Sequence, residues 1–166
     1  IDAMDILYSN KVSGFCIVSS DSDFTRLATR LREAGMNVIG IGEKKTPNPF
    51  IVACDKFIYI EILKNQTEES SSETTDSKRG KKDNVDKITQ KEIKLIASTI
   101  SDLADDDGWA FLGDVGSLLQ KKQPNFDSRN YGFQKLTPLI KSIKNFEIDQ
   151  RENVKGRFKL IYVRNR

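Results

Sequence analysis

Asp21 and Asp23 stand two residues apart, directly after four apolar residues, with Ser19 and Ser20 just before them. Carboxylate and hydroxyl oxygens at that density suit a hard divalent cation. Mg²⁺ commonly takes one or two carboxylates together with substrate phosphates. The same residues have a plainer use. Asp and Ser are favoured helix N-caps, and acids in a first turn complement the helix dipole. On the residues alone both uses stay open. The chain has no histidine. That excludes His-based general acid/base catalysis, Ser-His-Asp triads and His-containing zinc sites. Enzymatic chemistry then falls to carboxylates, lysines, hydroxyls and bound metal.

The elements that must position these acids are legible in the spacing. Phe15, Cys16, Ile17 and Val18 predict a short strand buried on both faces, as in a parallel sheet. Phe24, Leu27, Ala28, Leu31 and Ala34 recur at helical spacing. Ser20 and Asp23 have capping-box spacing, and Gly35 ends the helix. Val38, Ile39 and Ile41 predict the next strand. The unit is β-α-β, and Asp21 and Asp23 fall at the carboxyl end of its first strand. Open α/β sheets place ligands at that edge. Ahead of it, Ile1–Tyr8 predicts a helix carrying Asp2 and Asp5. Behind it come a Gly42–Pro49 loop, a short Phe50–Cys54 helix and a closing Lys56–Ile62 strand. Cys16 and Cys54 lack metal-ligand spacing. Cys16, in a strand predicted to be buried, is expected to be an inert reduced thiol.

Val18-Ser19-Ser20-Asp21-Ser22-Asp23-Phe24, Leu31-Arg32-Glu33-Ala34-Gly35 and Val38-Ile39-Gly40-Ile41-Gly42 together resemble the NYN domain of the PIN-like ribonuclease group. The resemblance implies a metal-dependent RNA-cleaving site of clustered aspartates, with Mg²⁺ or Mn²⁺ as cofactor. In that pattern the helix before the strand carries an acid followed by Ala, which Asp2-Ala3 matches. Asp2, Asp21 and Asp23 are thereby implied as the catalytic and metal-holding residues. An NYN domain begins with a strand bearing a first aspartate, which the resemblance puts before Ile1. The expectation is a partial PIN-like parallel sheet with helices, weakly active or inactive alone. Lys44 and Lys45 would lie at the same sheet edge, either holding an RNA phosphate or as a solvated pair. The stretch Gly42-Glu43-Lys44-Lys45-Thr46-Pro47 resembles one NYN subgroup.

The chain has 166 residues, 37% hydrophobic and 31% charged, which suits one or two small soluble domains. It holds no run of eighteen apolar residues and no signal-peptide pattern, so a cytoplasmic protein with no membrane partner is expected. Starting at Ile1 rather than Met, it is expected to be a fragment. Composition divides it into three: residues 1–64, a polar linker at 65–87 expected to be disordered, and a second domain at 88–166. The linker contains the basic stretch Lys78-Arg79-Gly80-Lys81-Lys82.

In the second domain Ile93, Ile96, Ala97, Ile100, Leu103 and Ala104 predict an amphipathic helix. Val115, Leu118 and Leu119 mark a second, and Phe133–Ile143 a later one. Phe146–Ile148 and Arg157–Val163 alternate like a hairpin. Helices closed by a hairpin describe a small α+β winged helix-turn-helix domain. Gly108-Trp109, Leu112, Val115-Gly116, Pro124-Asn125-Phe126-Asp127 and Tyr131-Gly132-Phe133-Gln134-Lys135-Leu136 resemble the OST-HTH domain, also called LOTUS. That resemblance spans roughly 88–164 and implies RNA as the partner. In some animal members it implies a DEAD-box helicase as a protein partner. Residues 121–166 hold 12 basic and 4 acidic residues, net +8. Such asymmetry is an electrostatic footprint for nucleic acid. The candidates are Lys121, Lys122, Arg129, Lys135, Lys141 and Lys144 on helices, with Arg151, Lys155 and Arg157 on the wing. The alternative is a basic surface that serves only solubility. Trp109 and Phe126 are expected in the core.

These readings converge on a metal-dependent RNA endonuclease with an RNA-binding module. The rival is a non-catalytic RNA-binding or adaptor protein. A DNA-binding winged-helix regulator leaves the acidic strand end unexplained.

Overall fold

Parallel strands cannot be joined by tight hairpins, so each pair needs a crossover element. The first unit supplies helices for that purpose. The computed structural model describes residues 2–9, 11–63, 87–152 and 159–166. The chain divides into two units, one built on residues 1–81 and the other on 82–122 and 126–166. Of the expected linker only Lys87 lies within the described residues; Lys78-Arg79-Gly80-Lys81-Lys82, Lys155 and Arg157 lie outside them. No described helix is long and apolar enough to cross a membrane.

The first unit is α/β. In order it has α1 (Asp2–Tyr8), β1 (Gly14–Val18), a 3-10 turn (Ser22–Phe24), α2 (Thr25–Glu33), β2 (Asn37–Gly42), α3 (Asn48–Ala53) and β3 (Lys56–Tyr59). The sheet order is β1-β2-β3, all parallel. Phe15 pairs with Val38, Val18 with Ile41, and Gly42 with Tyr59. Ala28 and Leu31 of α2, Phe50 and Ile51 of α3, and Val38 and Phe57 of the sheet close the core. The Phe50 and Phe57 rings meet edge to face, 5.9 Å apart at 84°. That arrangement contributes about 0.5–1.5 kcal/mol beyond the area it buries.

One carboxylate sets the register of this sheet. Asp55 Oδ2 accepts the Val38 N–H at 2.8 Å, and the Asp55 N–H donates to the Val38 carbonyl at 2.9 Å. Asp55 Oδ1 takes Arg32 Nε at 2.9 Å. Arg32 also donates to the carbonyls of Val52 and Ala53 at 3.4 and 3.3 Å. The end of α2, the start of β2 and the end of α3 are thereby fastened at the amino edge of the sheet.

The structure corrects the expectation for β1. This strand is not buried on both faces: Cys16 is exposed and Val18 is 68% exposed. The pleat explains it. Phe15 and Ile17 pack on the core, whereas Cys16, Val18 and Ile39 (37% exposed) share the other face. No described helix covers that second face over these residues. The closing strand is also shorter than expected, because residues 60–63 turn helical after Tyr59.

The second unit is a small α+β fold. It has α4 (Gln90–Leu103), β4 (Ala110–Phe111), α5 (Leu112–Lys122), a 3-10 turn (Ser128–Tyr131), α6 (Leu136–Ser142), β5 (Phe146–Glu152) and β6 (Lys159–Asn165). Helix α4 opens on a capping box in which Thr89 N–H donates to Glu92 Oε2 at 2.8 Å. Strands order as β4-β6-β5, antiparallel. Ile96, Ile100, Val115, Leu119, Leu139, Ile140 and Val163 fill the core, joined by Phe126 as expected. Trp109 does not join it; this residue is half-buried on the sheet. The predicted Phe133–Ile143 helix shortens to Leu136–Ser142. Gly132, at φ 79°, ends the preceding turn in a left-handed conformation, and Lys135 is extended as the N-cap.

The two thiols test this arrangement. Burial pushes the Cys54 thiol up to about 11, whereas Cys16 is exposed. A raised folded value means the Cys54 contribution to stability is full below about 9 and is lost as pH rises to about 11. Alkylation of the native chain near neutral pH should therefore modify Cys16 and spare Cys54 until denaturant is added. Equal labelling of both by mass spectrometry would contradict the assigned sheet faces.

Candidate functional site

The chain leaves the carboxyl end of β1 in a conformation its serines and aspartates dictate. The Ser19 N–H extends the ladder by one bond, to the Ile41 carbonyl at 2.9 Å. The Asp21 N–H donates to Ser19 Oγ at 3.1 Å. Asp21 is extended, at φ −99° and ψ 135°, and its Oδ1 accepts the Asp23 N–H at 3.0 Å. Asp21 is thus the N-cap of the 3-10 turn that feeds α2. The expected Ser20–Asp23 capping box does not form. Ser20 Oγ instead accepts the Glu43 N–H at 2.9 Å and ties the loop after β1 to the loop after β2.

That second loop is also held from within. Thr46, almost fully buried, donates N–H and Oγ1–H to the Glu43 carbonyl at 2.9 and 2.6 Å. The Lys44 N–H donates to Glu61 Oε1 at 3.1 Å. Lys45 Nζ pairs with Glu43 Oε2 at 2.6 Å, and this carboxylate holds the Lys45 ammonium above its usual range. Lys44 and Lys45 therefore share the carboxyl edge with Asp21 and Asp23, as expected from their loop position. Glu61, which fixes the loop backbone, was not foreseen. It belongs to the helical turn that replaces the end of the predicted strand.

Asp21 and Asp23 are both exposed. The Asp21 Oδ2 and the Asp23 carboxylate make no protein hydrogen bond or ion pair among the described residues. Asp2 is exposed on α1, as is Asp5. Among the described residues no three His, Cys, Asp or Glu side chains stand close enough to hold a metal ion. Asp2 is thus not gathered with Asp21 and Asp23 into one metal-holding group. Helix α1 is fixed through Leu7 instead, and with Tyr8 this residue lines a hollow beside Arg30, Glu33, Ala34 and Met36. These residues lie toward the amino edge of the sheet, at the far end of α1 from Asp2. The two remaining carboxylates, with the Ser19 and Ser20 hydroxyls beside them, suit a divalent ion that keeps several waters and takes phosphate oxygens.

A larger hollow lies away from these acids. It is lined by Thr29, Arg32, Glu33, Gly35, Met36, Asn37 and Asp55, at the amino edge. Arg32 and Asp55 are spent there on the register clamp, so the hollow is structural.

In the second unit the basic candidates separate by partner. Arg129 makes two bonds to Asp127, Nε–Oδ1 at 2.9 Å and Nη2–Oδ2 at 2.7 Å, with both side chains largely buried. Asp127 raises the Arg129 guanidinium further above its usual range. Arg129 is therefore a clamp on the Ser128–Tyr131 turn rather than an open phosphate contact. Lys122 pairs with Asp102 at 2.6 Å. Lys121, Lys135, Lys141 and Lys144 are exposed and make no ion pair among the described residues. Arg151, placed on the wing by sequence, stacks on Tyr162. The strand alternation Leu160-Ile161-Tyr162-Val163-Arg164 carried that signal.

Two domain descriptions match the chain. The NYN domain matches residues 1–61, and the OST-HTH/LOTUS domain matches residues 84–157. Among solved structures the chain is similar to an uncharacterized protein of Nitrosomonas europaea. That likeness has 30% identity, 58% of this chain, 90% of that one and a TM-score of 0.45. It is also similar to a protein segment of Chromobacterium violaceum, with 32% identity, 47% of this chain, 83% of that one and a TM-score of 0.39. No curated protein matches the chain.

Gly42 is the tightest joint of the carboxyl edge. A Cβ there would lie 2.4 Å from the Ser19 carbonyl oxygen and 2.7 Å from Thr46 Oγ1. Neither neighbour is a free side-chain end. Gly42→Ala should destabilise the first unit by about 1–3 kcal/mol, the usual range for overpacking. Urea unfolding followed in the intact chain measures this. An unchanged midpoint would contradict the close approach of the two loops.

Proposed function

We propose that this chain, which carries an NYN domain followed by an OST-HTH/LOTUS domain, cleaves RNA at the carboxyl edge of its parallel sheet and binds RNA through its second unit. The observation that carries the reading is the pair Asp21 and Asp23. Both carboxylates are exposed at a sheet edge where α/β folds place ligands, beside a loop bearing Lys44 and Lys45. Asp21 and Asp23 would hold Mg²⁺ or Mn²⁺. When bound, such an ion supplies a water activated at neutral pH and charge stabilisation on a phosphodiester. The chain's own residues orient the strand. Lys44 and Lys45 meet phosphate charge, and the Ser19 and Ser20 hydroxyls fix the two loops that carry acid and base groups. In the second unit Lys121, Lys135, Lys141 and Lys144 supply phosphate contacts that position rather than specify.

The second reading is a non-catalytic RNA-binding protein. It is favoured by one observation: Asp2 is not gathered with the other two acids. Two carboxylates give a weaker hold on a divalent ion than three, so cleavage by residues 1–166 is expected to be slow.

The two readings separate in one assay. Labelled single-stranded RNA is incubated with the chain in Mg²⁺ or Mn²⁺, with chelator and with Asp21→Asn and Asp23→Asn. Slow cleavage, stopped by chelator and reduced at least about ten-fold in either variant, is the expected result. RNA that is bound yet stays uncut with either ion is the result of the non-catalytic reading and would overturn the nuclease proposal.

A further inference from the structure

The outward face of the second unit's sheet carries rings and guanidiniums in alternation. In β6, Ile161 and Val163 pack on the core, so Leu160, Tyr162 and Arg164 face away from it. In β5, Phe146 and Ile148 pack on the core, so Glu147, Asp149 and Arg151 face away. Phe111 of β4 stands in register beside Tyr162, as Asp149 does on the other side. Trp109 lies one alternation before Phe111.

These groups stack. The Arg151 guanidinium carbon is 4.4 Å from the Tyr162 ring centre and 5.5 Å from that of Trp109. The Arg164 guanidinium carbon is 4.6 Å from the Trp109 ring centre. Phe111 and Tyr162 stand 5.9 Å apart, tilted by 58°. The loop before β4 holds Trp109 in place. The Trp109 N–H donates to Asp105 Oδ1 at 2.8 Å, and the Asp105 N–H donates to the Trp109 carbonyl at 2.9 Å. Gly108, at φ +78°, lets the chain turn there.

The charges on this face are balanced. Arg151 pairs with Asp149 at 2.9 Å, and Arg164 with Glu147 at 2.6 Å. Each guanidinium is held edge-on by a carboxylate, and its side chain remains 42% or 41% exposed. Phe111 is 36% exposed. The face is therefore poor at holding phosphate and well made to offer flat surfaces. Its β5 and β6 residues lie in a segment, 121–166, of net +8, which draws a polyanion, whereas Trp109 and Phe111 follow the acids Asp105-Asp106-Asp107.

We propose that this face is a stacking platform for the unpaired bases of single-stranded RNA. Unstacked bases pack on aromatic rings and on arginine planes, and this tolerates any sequence because every base has a π face. The platform rests on the RNA-binding reading of the second unit and divides its labour. Exposed lysines hold the backbone by charge, and the Trp109–Arg151–Tyr162–Phe111 face holds bases without net charge.

The division gives the test. Affinity of the intact chain is measured over a salt series for a single-stranded RNA and for an abasic strand of equal length, with thermal melts alongside. Tyr162→Ala and Phe111→Ala should each weaken RNA binding about ten-fold. The slope of log affinity against log salt should stay unchanged, because no phosphate contact is lost. Tyr162→Phe should bind as the unaltered chain does. The abasic strand should bind more weakly and be indifferent to these changes. Should Tyr162→Ala unfold, the more exposed Phe111→Ala decides. Variants that bind like the unaltered chain, while Lys141→Ala and Lys144→Ala still flatten the slope, would overturn the platform and keep the RNA-binding reading. Equal affinity for RNA and abasic strand would overturn it in favour of a face for a protein partner. No RNA binding by the intact chain at low salt would overturn both.

Discussion

The first unit depends on what Asp55 does at the amino edge of the sheet. Its carboxylate holds the first buried residue of β2 and the last turn of α2 at once, while its own N–H returns to Val38. That exchange fixes where β3 begins beside β2. The pairing of Val38 with Phe15 then carries the register to β1. A one-residue slip would turn Val38 and Phe57 out of the core and put Ile39 and Ile58 in their place. It would also pull Gly42 away from Ser19, and with it the bond from Glu43 to Ser20 that joins the two loops. The acids at the carboxyl edge are thus positioned by a clamp at the opposite edge, through a rigid ladder.

The second unit is held chiefly by an apolar core. Its helices and hairpin close around aliphatic residues together with the rings of Phe126 and Phe146. Trp109, Phe111 and Tyr162 are left out of that cluster, on the sheet's outward face. Arginines cover Trp109 and Tyr162 with planar, polar surface in place of water-exposed ring. This keeps a large apolar area soluble and leaves flat groups at the surface. Arg129 has the contrary fate: Asp127 takes both of its donor directions to close a turn. Basic residues read as one class in the sequence therefore serve at least two physical ends.

Much of this was legible in the residue pattern. The β-α-β order, the placement of Asp21 and Asp23 at a strand end, and the helices-then-hairpin order follow from period and turn residues that local physics enforces. What failed did so for reasons outside that pattern. Four apolar residues in β1 read as buried on both faces, yet whether a second layer covers a strand is a matter of tertiary packing. Ser20 has capping-box spacing from Asp23 in the sequence, but its oxygen accepts the Glu43 N–H, and Asp21 caps instead. Trp109 reads as core by size; the bonds to Asp105 hold it just ahead of β4 instead, under Arg151 and Arg164, which composition does not encode.

The proposed reading has RNA meet the carboxyl edge of the first unit and, separately, the basic surface of the second. Amide chemical shifts of the isotope-labelled chain, titrated with a short single-stranded RNA in Mg²⁺, test it most directly. Shifts are expected at Ser19–Asp23 and Glu43–Lys45, together with shifts at Lys141, Lys144 and the Tyr162–Arg164 strand. Shifts confined to the amino-edge hollow of Thr29, Gly35 and Asn37, or to the second unit alone, would contradict it.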